Sequence, residues 1–278
     1  MAEHSVSVKR YIKVFFHRVT EDNVFDLAAQ LAYYFLLSLF PFLIFAIALL
    51  SYLGLSSDDF LNMVHRMAPS QSFDLIKENL KSVLDVQRGG LLSFGILFTI
   101  WTASNAINAM MRALNQAYNV DENRHFLIAR GIAILLTFAM ILVIIVALAM
   151  SVFGEPLGKF VLSHLGMGRE FSDVWRVVRW LISFVIIVFV FSCLYYFGPN
   201  KRVYFKDVLL GAVIAAVAWQ AVSLGFSYYV SNFGHYKAVY GSLGGVIILL
   251  IWFYLTGLII IIGGEINAVN WFFERKGR

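Results

Sequence analysis

The sequence predicts an all-α, polytopic membrane bundle of six transmembrane helices with both termini in the cytoplasm. Three observations carry that prediction. First, 60% of the 278 residues are hydrophobic and 14% charged, against roughly 45–50% and about 25% in soluble domains. A soluble fold of this length cannot hide so large an apolar excess, which excludes a soluble enzyme, a disordered chain and a disulfide scaffold together. Second, six runs are continuously apolar and close to the roughly 20 residues a helix needs to cross the hydrocarbon core. Third, Lys and Arg fall unevenly on alternate connections, which sets orientation.

Residues 1–26 read as an N-terminal cytoplasmic amphipathic helix. Val8, Tyr11, Ile12, Phe15 and Val19 share one helical face while Lys9, Lys13 and His17 point away. Such a helix lies on an anionic lipid surface or packs beneath the bundle. It is not a cleavable signal, because the first apolar run begins only near Leu27, is too long and has no small-residue cleavage site behind it.

The six-span domain occupies residues 27–265, with runs at Leu27–Leu53, Gly90–Met111, Gly131–Phe153, Val178–Phe197, Val208–Val230 and Gly244–Gly264. Backbone groups cannot stay unpaired in lipid, so each run is a helix or a barrel strand. The runs are too long, and alternate too little, for strands. The outer loop 56–88 is too long for a turn; Ile76, Leu80, Val83 and Leu84 share a helical face, and Pro69 with Ser70 and Ser72 marks a helix start. One or two short helices capping the outer mouth are expected there. Residues 266–278 read as a basic cytoplasmic tail. With the N-terminus inside, the cytoplasmic segments carry thirteen Lys and Arg against nine outside. The formal net charge of +5 therefore reports orientation rather than nucleic-acid binding.

Polar residues inside spans are costly and tend to face a cavity or a partner. In the second span Asn105, Asn108, Arg112, Asn115, Gln116 and Asn119 fall in one sector, with Ala106, Met110, Ala113, Leu114 and Ala117 opposite. These amides either bond between helices or line a wet path. In the first span Gln30, Tyr34, Ser38 and Pro41 share a face. Pro41 has no N–H for Leu37, so a kink that serves packing or transport is expected. In the fifth span Ala212, Ala216, Gln220, Ser223 and Ser227 form a small-residue stripe suited to close helix contact. The third span is apolar all round and is expected to face lipid. The glycine-rich loop 228–245, with Tyr236 and Tyr240, suits a re-entrant turn or an outer gate. Arg112, Glu265, Asn267, Gln30 and Tyr34 fall at similar depth, which predicts a polar cluster at the cytoplasmic side with Arg112 or its Asn ladder facing Glu265. The candidate substrate path is thus Gln30, Tyr34, Ser38, Pro41, Asn105, Asn108, Arg112, Asn115, Gln220, Tyr240, Glu265 and Asn267.

Catalytic chemistry finds little footing. Cys193 is the one cysteine, and the six histidines are dispersed without metal-binding spacing. No phosphate-binding loop, nucleophile elbow or dinucleotide fingerprint appears. No cofactor and no metal are expected, and Asp58–Asp59 and Asp121–Glu122 read as solvated loop charges.

Several stretches carry a family resemblance. Ala32-Tyr33-Tyr34 through Ser38-Leu39-Phe40-Pro41, Ala113-Leu114-Asn115-Gln116-Ala117-Tyr118, Tyr195-Tyr196-Phe197-Gly198-Pro199-Asn200, Tyr229-Val230-Ser231-Asn232-Phe233-Gly234, Tyr240-Gly241-Ser242-Leu243-Gly244-Gly245 and Gly263-Gly264-Glu265-Ile266-Asn267-Ala268 resemble the YihY/BrkB family of bacterial inner-membrane proteins. The likeness runs in order through nearly the whole chain. It implies a multi-pass protein of the cell inner membrane. The family has carried ribonuclease and virulence labels, and some members are suspected of moving envelope lipids or lipopolysaccharide precursors. Three functions stay open: a transporter or flippase whose partners are membrane lipids, a non-transporting scaffold for envelope-assembly proteins, and a membrane-bound hydrolase.

Overall fold

The computed structural model describes residues 8–52, 89–141, 171–233 and 244–276. Among the described residues there are seven helices and no strand. They are α1 (Val8–Glu21), α2 (Val24–Tyr52), α3 (Gly89–Ala117), α4 (Phe126–Ile141), α5 (Phe171–Phe197), α6 (Phe205–Phe233) and α7 (Gly244–Lys276). Three stretches, Trp180–Phe197, Phe205–Val230 and Gly244–Glu274, are long and apolar enough to cross a membrane. Shorter apolar stretches run over Val24–Leu39 and Phe126–Ile141. The expected outer cap, the far end of the third run and the loop bearing Tyr240 lie outside the described residues.

The chain divides into two compact units. The smaller, Tyr34–Ala103, holds most of α2 and the first half of α3. There α2 passes Pro41 as one helix, with Pro41 buried and the Ser38 hydroxyl donating back to Phe35 O at 2.8 Å. Thr102 does the same toward Phe98 O at 2.8 Å. Such bonds to the helix's own carbonyls satisfy hydroxyls where water is scarce.

The larger unit combines Met1–Tyr33 with Ser104–Arg278, and its core is built on backbone proximity. Helix α7 packs along α6, α6 along α5, and α1 lies against α7. Val208, Gly211, Ala212, Ala215 and Ala216 form the buried strip of α6. The expected small-residue stripe thus packs in its first half, whereas Ser223 is half-buried and Ser227 exposed. Without a hydrophobic drive between helices in lipid, small residues add stability by letting backbones approach. Gly211 on α6 and Gly263 on α7 stand against one another so closely that a Cβ on Gly211 would meet the Gly263 carbonyl oxygen. Leu114 of α3 fills the space beside Gly264 and Gly198.

One predicted boundary and one predicted face change. Residues 266–276 are not a tail: α7 continues without a break to Lys276, with Asn267, Ala268 and Val269 buried. The helix continues because its last turns have partners. Tyr11 Oη donates to Ile266 O at 3.3 Å and the Tyr11 ring stacks on Phe273. The third apolar run is not lipid-facing all round either. Helix α4 exposes Phe126, Leu127, Leu135 and Phe138 but buries Ala133, Leu136 and Thr137. Of the two readings of the N-terminal helix, packing on the bundle is seen through Tyr11 and Val19, while Val8, Ile12 and Phe16 on the same helix are exposed.

Candidate functional site

One end of the larger unit collects the α1–α2 turn, the C-termini of α3 and α5, the N-terminus of α6 and the later turns of α7. Helix ends leave carbonyls and N–H groups without partners, and here side chains supply them. Asn119 (φ 49°) takes the left-handed conformation after α3, so that Val120 N–H reaches Asn115 O at 2.9 Å and closes the terminus. Asn23 (φ 51°) does the corresponding work between α1 and α2, where Asp26 and Leu27 N–H both bond its carbonyl. At the start of α6 the Asp207 carboxylate accepts from Tyr204 N–H at 3.3 Å, half of a capping box.

Asn115 is the junction of three segments. Its Oδ1 accepts Asn200 N–H at 2.6 Å, and its Nδ2 donates to Glu122 Oε2 at 2.8 Å. Glu122 in turn holds Arg124 through Nε at 2.7 Å and Nη2 at 2.8 Å, and Arg124 Nη2 reaches on to Gly198 O at 2.8 Å. Asp121–Glu122 is therefore not simply solvated charge. The α3–α4 connection is pinned to the Gly198-Pro199-Asn200 turn.

Hydrogen bonds from Arg124 hold the Glu122 carboxyl below its ordinary range, against the opposing effect of burial. A folded-state value below the unfolded one, about 4.3, gives stability that is present above the unfolded value. That stability is lost as pH falls through the folded one. Thermal unfolding of the purified protein should therefore show a loss of stability below about pH 4 that Glu122→Gln largely lacks, having started lower. Equal melting of the two proteins at neutral pH would sink this.

Asn267 bridges α7 to α6, its Oδ1 accepting Gly211 N–H at 2.7 Å and its Nδ2 donating to Val208 O at 3.1 Å. Tyr195 Oη, fully buried, donates to Ile260 O at 2.8 Å. Beside them lies Glu265, with a relative exposure of 0%. The groups acting on it are Asp22 from the α1–α2 turn and Arg18 from α1. Arg18 also donates to Ala117 O at 2.6 Å, at the negative end of α3, and sits 5.5 Å from the Phe272 ring centroid. Tyr118 packs edge-on against Trp271, whose face carries Lys201 Nζ at 3.7 Å from the centroid.

This corrects the predicted pairing of Arg112 with Glu265. Arg112 is exposed, and the cation at Glu265 is Arg18. Equal depth along two helices does not place two side chains on facing sides. The α3 ladder also divides. Asn105 accepts from Arg130 Nη1 of α4 at 2.7 Å, Asn115 is buried in the junction, and Gln116 donates to Asp22 O at 3.0 Å. Asn108 is half-buried and Arg112 exposed, opposite the fully packed Ala106, Met110, Ala113, Leu114 and Ala117. Gln30 is exposed, Tyr34 and Ser38 are half-buried, and Gln220 is half-buried with Nε2 buried and unbonded among the described residues. Asn115, Glu265 and Asn267 are brought into one region. Arg18, Asp22, Tyr118 and the Gly211–Gly263 contact join them without having been predicted. A Glu-x-Arg spacing and asparagines after helices are the sequence signals that point to part of this. Among the described residues, no group of three or more His, Cys, Asp or Glu could hold a metal ion.

Comparison with known proteins follows the same stretch of chain. The family model described as "Virulence factor BrkB" matches residues 15–274. The Bacillus subtilis protein YfkH, whose name calls it ribonuclease-like, is 47% identical over 93% of this chain and 94% of its own. UPF0761 membrane proteins of Tolumonas auensis and Vibrio atlanticus are 30% and 28% identical, over 94% and 96% of this chain and 85% and 83% of theirs. No solved structure matches. The matched segment begins within α1 and ends within the last turns of α7, so it takes in α2 to α6 whole, and the chain belongs to the BrkB family of integral membrane proteins.

Proposed function

We propose that this chain is a carrier rather than an enzyme: a transporter or flippase for an amphipathic, anionic envelope lipid or lipopolysaccharide precursor. In this reading it crosses the bacterial inner membrane six times with both termini in the cytoplasm, and membrane lipids are its partners. The supporting observation is the unpacked face of α3. One side of that helix is sealed against its neighbours by Ala106, Met110, Ala113, Leu114 and Ala117, each 3% exposed or less. The other presents Asn108 and the exposed cation Arg112. A polar face with a positive charge, left open on a helix at the membrane, suits a headgroup path far better than hydrocarbon.

The second reading is a scaffold for envelope-assembly proteins, favoured by the bonds that tie Asn105, Asn115 and Asn267 between segments. Reconstitution into vesicles with fluorescent anionic and zwitterionic lipids separates the two. The carrier reading expects lipid movement, and expects Arg112→Gln to lower it at least several-fold for anionic headgroups while the folded yield stays unchanged. Movement of no envelope lipid by the wild-type protein favours the scaffold.

A further inference from the structure

Two carboxyl groups from distant parts of the sequence, Asp22 and Glu265, come together inside the larger unit. Glu265 is fully enclosed, and neither of its oxygens receives a hydrogen bond from a described residue. The side chain within hydrogen-bonding reach of it is Asp22, on the turn between α1 and α2. Ionised carboxylates are acceptors only. Two of them can bond to each other only when one carries a proton, and an ionised carboxylate enclosed without a donor, as at Glu265, is strongly disfavoured beside a second one.

The surroundings define how much charge the pair needs. Arg18 of α1 is the cation acting on both acids, and its guanidinium is shared with Ala117 O and the Phe272 face. Glu21 adds a like charge beside Asp22, and Gln116 of α3 lies against Asp22. The Tyr118 hydroxyl, buried and unbonded among the described residues, feels the charges of both Glu265 and Asp207 of α6. Lys201 is held over Trp271. With both acids ionised, Arg18, Asp22 and Glu265 sum to one negative charge; one proton makes them neutral. Burial pushes the Asp22 carboxyl up from its ordinary value, with Arg18 opposing.

We propose that Asp22 and Glu265 form a binding site for a single hydrogen ion, shared between the two carboxyls and exchanged with water through the half-buried α1–α2 turn. On binding, a proton from water bonds to one carboxylate oxygen, and the resulting O–H donates to the other; no other bond breaks. Bound, it ties the α1–α2 turn to α7. Released, it leaves two like charges with one compensating cation, and the turn is pushed off. Use of this proton to drive transport rests on the carrier reading, whereas the site itself does not.

Infrared difference spectroscopy of the full-length protein in lipid nanodiscs, titrated from acid to alkaline pH, tests the site. Wild type should show one protonated carboxylic-acid band per chain that survives well above the ordinary carboxyl range of about pH 4. Asp22→Asn and Glu265→Gln should each abolish it, and Arg18→Gln should carry it to higher pH. Should Glu265→Gln fail to fold, Asp22→Asn in the half-buried turn decides by itself. Absence of the band at neutral pH, its survival in Asp22→Asn, or its removal by sodium ions at fixed pH would overturn the proposal. A band that behaves as expected in a protein that moves no lipid upholds the proton site and sinks the carrier reading instead.

Discussion

Gly211→Ala is expected to be the most damaging single-methyl change in the described chain. An added Cβ would meet the Gly263 backbone oxygen, and would stand 2.6 Å from both Cγ and Nδ2 of Asn267. A carbonyl inside a helix cannot swing aside as a side-chain tip can, so α6 and α7 must separate. Separation also lengthens the Asn267 bonds to Gly211 N–H and Val208 O. Overpacking of this kind costs about 1–3 kcal/mol, and the loosened amide bridge adds to it. The reciprocal Gly263→Ala meets the Tyr195 hydroxyl, Ala215 Cβ at 2.9 Å and Gly211 O at 3.0 Å, so it should fail for the same reason. Gly131, Gly225 and Gly245 have nothing within 4 Å of an added Cβ. Alanine at those three helical positions should leave stability equal or raise it by up to about 1 kcal/mol. Melting curves of the five purified variants check this, and a Gly211→Ala protein as stable as Gly225→Ala would refute the close-contact account.

Asn115→Leu is expected to cost nearly as much, through lost hydrogen bonds rather than steric conflict. The substitution keeps the branched shape and the number of side-chain heavy atoms and removes two bonds that join α3 to separate turns. Asn200 N–H loses its 2.6 Å acceptor, and Glu122 Oε2 loses its 2.8 Å donor. Leaving one such group unsatisfied at a site that is 4% exposed costs about 1–3 kcal/mol. Asn115→Asp gives a sharper result. It keeps an acceptor for Asn200 N–H but sets a second carboxylate against Glu122. The two facing carboxylates would then hold one shared proton more tightly when folded than when unfolded, offsetting the lowering by Arg124, so this variant should lose less stability than wild type as pH falls. Thermal unfolding across pH distinguishes the two slopes, and parallel profiles would count against the junction described here.

The helices were legible before any coordinates because lipid leaves a chain few options. A backbone out of reach of water must bond to itself, so long apolar runs in a sequence as hydrophobic as this one had to be helical. The order of motifs named the family for a related reason: Gly198-Pro199-Asn200, Ala113 through Tyr118 and Gly263 through Ala268 are the segments that meet at one end of the larger unit. Side-chain periodicity also separated the packed Ala and Met side of α3 from its polar side.

What periodicity could not supply was the identity of the partner across a gap. It places Arg112 and Glu265 at one depth, but rotation about two helix axes decides whether they face, and packing turned Arg112 outward. The cation that acts on Glu265 comes instead from α1, nearly 250 positions earlier in the chain, because the left-handed Asn23 turns α1 back to lie along α7. Asp121–Glu122 looked like solvated loop charge for the same reason: the partners of Glu122 depend on how the connection folds. Gly211 looks unremarkable in the sequence and Gly263 is only one residue of a motif; the approach of two backbones shows why neither has room for a side chain. Composition and periodicity thus determined that this protein spans lipid as helices and which faces are apolar, since those follow from local spacing and solvent. Which polar groups meet was decided by tertiary structure, because hydrogen bonds and charge pairs depend on distances of a few ångströms between segments that sequence spacing leaves free.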